Sequence, residues 1–350
     1  MALLFESPAK PAVAPPPVRR VTQQLGPVMQ LGVRRLLGRK SPFQMTFSLT
    51  NRCNFLCKYC TIPTKRRNEM TTAEWIGVID EFRGAGLGRV SLMGGEPLLR
   101  EDAGELIRHL NDVGVHSAMN TNGWFVADRI EDVSRLDLVS ISLDGPEEVH
   151  DRQRRKGSYR RVIDGIERLR SRNRPVVTMT VVTTEGIGTV RHVLEVAKEM
   201  GTRAYFQLVH DAEGDVDLPV APDIASERVE TLVDELVDLK GQGLPVGNSF
   251  SLLRRQKAHR LIDTCERCYA GRYYGYVFSD GTVAPCVLTQ KQVSPANGRE
   301  RGFLRAFAEL SPPQGPGCSC APTHEVNQIL NFDMSALFEA LHAVLRPAQP

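Results

Sequence analysis

The sequence predicts an α/β fold, a parallel sheet with crossover helices, followed by a small β-hairpin and helix unit at the C-terminal end. Three observations predict it. Between about Gln44 and Leu208 strand-like runs alternate with helical patterns, which is the signature of β-α-β units. The first of these helices announces its start, because Thr71 and Glu74 form a capping box and Trp75, Val78, Ile79 and Phe82 recur at helical spacing. Beyond about residue 212 the alternation stops, and later an Asp280-Gly281 turn separates two strand-like runs.

In chain order, prolines at 8, 11, 15, 16 and 17 make the first twenty residues a disordered or polyproline-like arm. Val28 to Leu37 forms a short basic amphipathic helix, expected to cap one end of the main domain, with a membrane-surface or lipid-substrate role as the alternative. The strands are expected at Gln44–Leu49, Arg89–Met93, His116–Asn120, Leu138–Leu143, Val176–Thr183 and Ala204–Leu208. Asp223 to Lys240 reads as a helix with Val229, Leu232, Val233, Leu236, Val237 and Leu239 on its apolar side, ended by Gly-Gln-Gly-Leu-Pro. Arg254 to Arg260 reads as a solvated helix face, Tyr273–Phe278 and Thr282–Val287 as the hairpin strands, and Met334–Leu345 as a helix that packs back on the main domain through Leu337, Phe338, Leu341 and Leu345. The divisions are an arm and short helix at 1–40, a core at 41–215, a helical linker at 216–262 and a cysteine-bearing unit at 263–350.

With 41% hydrophobic and 24% charged residues among 350, the chain has the composition of a globular enzyme with ample core. Its net charge of +3 hides an asymmetry, since residues 1–40 hold seven Lys/Arg against one acid, Glu6. The remainder is therefore slightly acidic and offers no broad basic face for a nucleic acid, which argues against RNA modification. The opening Met1-Ala2-Leu3-Leu4-Phe5 is too short for a signal segment, and no stretch approaches the roughly 18 apolar residues of a membrane span. The expected compartment is the cytoplasm.

Eight cysteines, at 53, 57, 60, 265, 268, 286, 318 and 320, all fall in clusters. Clustered cysteines without a signal peptide argue for metal binding under reducing conditions. Cys53, Cys57 and Cys60 stand in the spacing CX3CX2C with no fourth cysteine nearby. Closed [4Fe–4S] sites use four thiolates, so three leave one iron for a ligand that is not protein. A structural zinc site is the alternative, but it pairs two knuckles, and no partner follows for about two hundred residues.

This motif and its setting resemble the radical S-adenosylmethionine (SAM) superfamily. The resemblance implies a partial (β/α)6 TIM-like barrel, with SAM chelated on the open iron of a [4Fe–4S] cluster. Gly94-Gly95-Glu96-Pro97 follows the second strand and resembles the motif that binds the SAM amino group; glycines admit a close backbone approach, and Glu96 can accept from an ammonium. Tyr59 matches a position near the adenine. Thr121-Asn122-Gly123 and the turn beginning at Ser142 resemble polar turns of the ribose or carboxylate site, and Arg154 matches an arginine that meets the SAM carboxylate. His150 is expected to orient its own loop.

Cys268 and Cys286 flank the hairpin with twelve residues before Gly281 and four after it. This resembles the opening of the SPASM or twitch auxiliary-cluster domain, and with Cys318 and Cys320 it implies four ligands for a second, auxiliary [4Fe–4S] cluster. The closing pair is CXC rather than the commoner CX2C, and Cys265 is a fifth ligand candidate. A zinc knuckle of Cys265, Cys268, Cys318 and Cys320 is the alternative.

The resemblance implies an enzyme that cleaves SAM to a 5′-deoxyadenosyl radical and abstracts a hydrogen from a small metabolite or natural-product precursor, in an oxidation or rearrangement. Its partners would be that substrate and a reductase such as flavodoxin or ferredoxin. Two rivals are a maturase of ribosomally made peptides, for which residues 1–40 are too few to hold a leader-binding domain, and a non-catalytic iron–sulfur electron carrier, which needs no SAM site.

Overall fold

The computed structural model describes residues 29–65, 67–183, 186–208, 226–257, 268–287, 296–312 and 321–345. Residues 29–36 form helix α1. There follow β1 (Gln44–Ser48), α2 (Thr72–Gly84), β2 (Arg89–Met93), α3 (Ala103–Asp112), β3 (His116–Thr121), α4 (Ile130–Val133), β4 (Leu138–Ser142), α5 (Glu147–Gln153), α6 (Ser158–Ser171), β5 (Val176–Val182), α7 (Val190–Glu199) and β6 (Arg203–Leu208). After them come α8 (Ser226–Gly241), α9 (Phe250–Lys257), β7 (Tyr274–Val277), β8 (Thr282–Ala284), β9 (Ala296–Asn297), α10 (Gly298–Arg301), α11 (Phe303–Glu309), α12 (Ala321–Leu330) and α13 (Met334–Leu345).

The first six strands lie side by side in chain order and are all parallel, so every crossover steps the same way and the sheet curls as a partial (β/α)6 barrel. It is not closed. β7 pairs in parallel with the outer edge of β1, and β8 and β9 continue antiparallel from it. The hairpin therefore extends the barrel sheet, a long-range pairing that no local pattern announces. Its turn is the expected one: Gly281 sits at φ +85°, and Thr282 N–H donates to Asp280 Oδ1 at 3.0 Å.

Alternation along the strands sorts the two faces. Phe47, on the outer face of β1, packs on Trp75 of α2 at 5.3 Å between ring centroids, and Phe82 meets Phe307 of α11 at 6.1 Å. These four rings are buried, as are Val90, Leu92, Val139 and Ile141. Residues of the opposite parity, Thr46, Ser91, Asn120 and Ser142 among them, are small or polar and only half-buried.

At the other side of the opening α12 touches both edges: Ala321 N–H donates to Gln207 of β6 at 2.9 Å, and Tyr269 N–H, just before β7, donates to Asn327 at 3.0 Å. α8 buries Leu232, Val233, Leu236 and Leu239 as its apolar pattern requires. In α9 Arg254 is exposed, while residues 258–260 of that basic stretch lie outside the described residues. α13 has the expected bounds; of its expected inward side chains Leu337 is half-buried, and those of Leu341 and Leu345 lie outside the described residues. It meets α9 through Glu339, which accepts from Phe250 N–H at 2.9 Å, whereas Phe338 is 70% exposed. The anchoring is polar, so the helix has no need to bury that ring.

The capping box of α2 is complete, with Glu74 N–H donating to Thr71 Oγ1 at 3.3 Å and Thr71 N–H donating to Glu74 at 2.7 Å. We expect Thr71→Ala to lower the unfolding free energy by about 1 kcal/mol, measured as an earlier urea midpoint with an unchanged slope.

Candidate active site

The loops after β1 to β4 meet at one end of the sheet. Leu49 N–H donates to Met93 O at 2.8 Å, Gly95 N–H to Thr50 O at 2.7 Å and Glu96 N–H to Arg52 O at 2.9 Å. The two backbones are so close that a Cβ on Gly94 would lie 2.2 Å from Thr50 O, and one on Gly95 2.2 Å from Arg52 O. Gly94 also adopts φ +146°, a conformation that favours glycine. The room that these glycines make admits the cysteine loop.

Glu96 has no exposed surface. Its carboxyl accepts from Thr121 Oγ1 at 2.8 Å, Asn122 N–H at 2.8 Å and Leu98 N–H at 3.1 Å. Burial outweighs these donors and lifts it to about 7. Asn122 continues the chain of contacts, its Nδ2 donating to Asn54 Oδ1 at 2.8 Å and standing 3.8 Å from Cys53 Sγ. Thr121 and Asn122 thus support Glu96 and the cysteine loop.

A second network is centred on Asp144, in the turn after β4. Tyr59 donates its hydroxyl to Asp144 at 2.7 Å, Arg154 donates from Nε at 2.5 Å and Nη2 at 3.1 Å, and Val181 N–H donates at 3.1 Å. Burial alone would raise the Asp144 carboxyl, but Arg154 and the other donors hold it below its ordinary value. Arg154 therefore offers its fork to Asp144. Ser142, half-buried, ends β4 beside this turn. His150 does orient its loop: its Nδ1 accepts from Asp144 N–H at 3.1 Å, and burial pushes the ring down to about 4, which leaves it neutral.

The cysteine loop fits an iron–sulfur cluster. Cys53, Cys57 and Cys60 are half-buried and outside any disulfide. Burial pushes Cys53 up to about 12 and Cys57 up to about 11, so as bare thiols they keep their protons and would ionise only against a cationic partner such as iron. Among the described residues no three His, Cys, Asp or Glu side chains close on a single ion. Beside the loop, Asn54 Nδ2 and Gln153 Oε1 are buried without a hydrogen-bond partner, polar atoms positioned for a ligand.

The second cysteine group gathers where β1 and β7 begin. Cys268 and Cys286 pack in one cluster with Tyr269, Tyr273, Tyr274, Tyr276 and Phe278. Tyr274 OH lies 3.5 Å and Asn327 Nδ2 3.8 Å from Cys268 Sγ. Cys265, Cys318 and Cys320 lie outside the described residues. The hub Asp144 and the support residues Tyr274 and Asn327 were not singled out as site residues in the sequence. Asp144 lies in the turn that begins at Ser142, and Asn327 carries no local signal.

Comparison with known proteins bears on this site. The family model described as Radical SAM superfamily matches residues 47–197. The AdoMet-dependent heme synthase of Methanosarcina barkeri is 31% identical over 288 residues, 75% of this chain and 81% of that protein. The mycofactocin maturase MftC of Mycolicibacterium smegmatis is 27% identical over 313 residues, 85% and 80% respectively. Streptococcus suis SuiB bound to its precursor peptide SuiA shares the fold at a TM-score of 0.66 and 13% identity, over 88% of this chain and 73% of that one.

Glu96 makes stability depend on pH with a definite sign. The folded chain keeps its proton up to about 7 whereas an unfolded one releases it near 4.5, so this contribution is lost as pH rises between those values. His150 acts oppositely, costing stability as pH falls from 6.5 towards about 4. Relative to Glu96→Gln, the wild type should lose stability with rising pH by up to ~1.4 kcal/mol per unit between these limits, measured by denaturant unfolding at successive pH values.

Proposed function

Since the chain belongs to the radical SAM superfamily, we propose that it abstracts a hydrogen atom from a small-molecule substrate and leaves that substrate oxidised or rearranged. Radical SAM enzymes use a [4Fe–4S] cluster and SAM. When bound, these would supply a one-electron, hydrogen-abstracting chemistry whose products include methionine and 5′-deoxyadenosine.

The chain's own part is to bind, orient and exclude water. Cys53, Cys57 and Cys60 would hold the cluster. The interlock of Gly94 and Gly95 with Thr50 and Arg52, the observation that carries this reading, fixes the SAM-binding loop against the cluster loop. Glu96, Thr121, Asn122 and Ser142 would line the amino-acid and ribose side, Tyr59 the adenine side, and Arg154 would meet the carboxylate while Asp144 holds it in place. Cys268, Cys286, Cys318 and Cys320, with Cys265 as a fifth, would hold the auxiliary cluster, whose task is to accept the electron that a substrate radical gives up on oxidation. The division into a core at 41–215, a linker at 216–262 and an auxiliary unit at 263–350 follows the same reading, as does a small reductase as electron donor.

A small-molecule substrate is supported by the heme synthase relative. Peptide maturation is the second reading, supported by the likeness to MftC. A mere electron carrier has no use for the interlocked second loop.

Anaerobically reconstituted protein should contain about eight irons, and a Cys53/Cys57/Cys60 triple alanine variant about four, in units of one [4Fe–4S] cluster. We expect Cys57→Ala to abolish formation of 5′-deoxyadenosine from SAM under reduction, measured by chromatography; undiminished cleavage would sink the assignment. Release of 5′-deoxyadenosine stimulated by peptides but not by small molecules would replace the first reading with the second.

A further inference from the structure

Among the described residues eight large apolar side chains are exposed over more than half their surface, and seven of them share one region: Met29, Val33, Leu36, Leu37, Phe332, Met334 and Phe338. The eighth, Leu56, is in the cysteine loop. Such a concentration marks an interaction surface rather than scattered exposure. α1 explains its shape. Leu31 packs inward on the tyrosine cluster, and Arg35 lies over the rings of Tyr269 at 5.4 Å and Phe332 at 4.1 Å. At 100° per residue, Met29, Val33, Leu36 and Leu37 fall on the opposite, outward side. The Arg35–Phe332 contact places the segment before α13 beside α1.

Cations border α1: Arg34 is half-buried and Arg39 exposed. The nearby acids are turned away: Asp333 accepts from Ser251 Oγ at 2.8 Å, and Glu339 pairs with Lys240 at 2.9 Å. We propose that this face docks on an anionic lipid bilayer, with the outward side chains of α1 and the Phe332–Phe338 segment entering the headgroup boundary. The helix supplies both halves of such a site, apolar anchors and flanking cations. A second copy of the chain fits worse, because a two-fold contact would set one basic segment against another. The proposal is independent of the substrate and of either cluster.

The test is cosedimentation of the full chain with vesicles of phosphatidylglycerol and phosphatidylcholine in equal parts, beside vesicles of phosphatidylcholine alone. Binding should be roughly tenfold or more stronger on the anionic vesicles and weaken in high salt. Leu36→Glu, at a side chain 90% exposed, should reduce it by about tenfold without moving the thermal midpoint. Arg39→Gln should weaken it and Arg160→Gln, the same charge change on the exposed face of α6, should not. Equal binding to both vesicle types, no binding to either, or equal losses in the two arginine variants would overturn the proposal. So would a dimer in light scattering that Leu36→Glu dissociates while vesicle binding is absent.

Discussion

A carboxyl group without exposed surface, Glu96, ties the end of β2 to the end of β3, and the rest of the site is arranged around that tie. Its three donors come from the Pro97-Leu98 turn and from Thr121 and Asn122, and Asn122 then reaches the cysteine loop. Burying such a group is costly unless its lone pairs are met. The geometry of the surrounding loops is therefore narrowly determined, and the glycines at 94 and 95 let the first loop approach closely enough to complete it.

Asp144 plays the matching role on the other flank. It gathers Tyr59 from the cysteine loop, Arg154 from the end of α5 and the backbone of β5. Two buried acids, one neutralised by burial and one by an arginine fork, hold the cysteine loop between them. The contrast is one of environment rather than residue type. The second cysteine group lies at the far end of the β1–β7 pair, whose four residues span about 13 Å.

Much of this was legible in the sequence because it is local. The six parallel strands, the Thr71–Glu74 box, the Asp280-Gly281 turn and the bounds of α13 each leave a periodic or capping signal within a few residues. The motifs of the cysteine and Gly-Gly-Glu loops were equally legible. What escaped depends on contacts between distant segments. Nothing near Tyr274 announces that its strand joins β1, and nothing near Asn327 announces Cys268. Arg154 could be recognised as a cation for a carboxylate, but not that Asp144, ten residues before it, also takes its fork. Phe338 looked like a core residue because its helix is amphipathic; the helix is instead anchored by Glu339 and Ala336.

The pairing of β7 with β1 gives the C-terminal segment a duty unrelated to metal. Gln44–Phe47 would be a sheet edge without it, and their unpaired backbone groups would stand open to any other extended chain. Edges of that kind recruit neighbours into intermolecular sheets. A shortened chain that ends before Tyr274 would keep every residue of the three-cysteine loop and still carry an adhesive margin, so the hairpin also serves as the selvedge that keeps the barrel from fraying into aggregates.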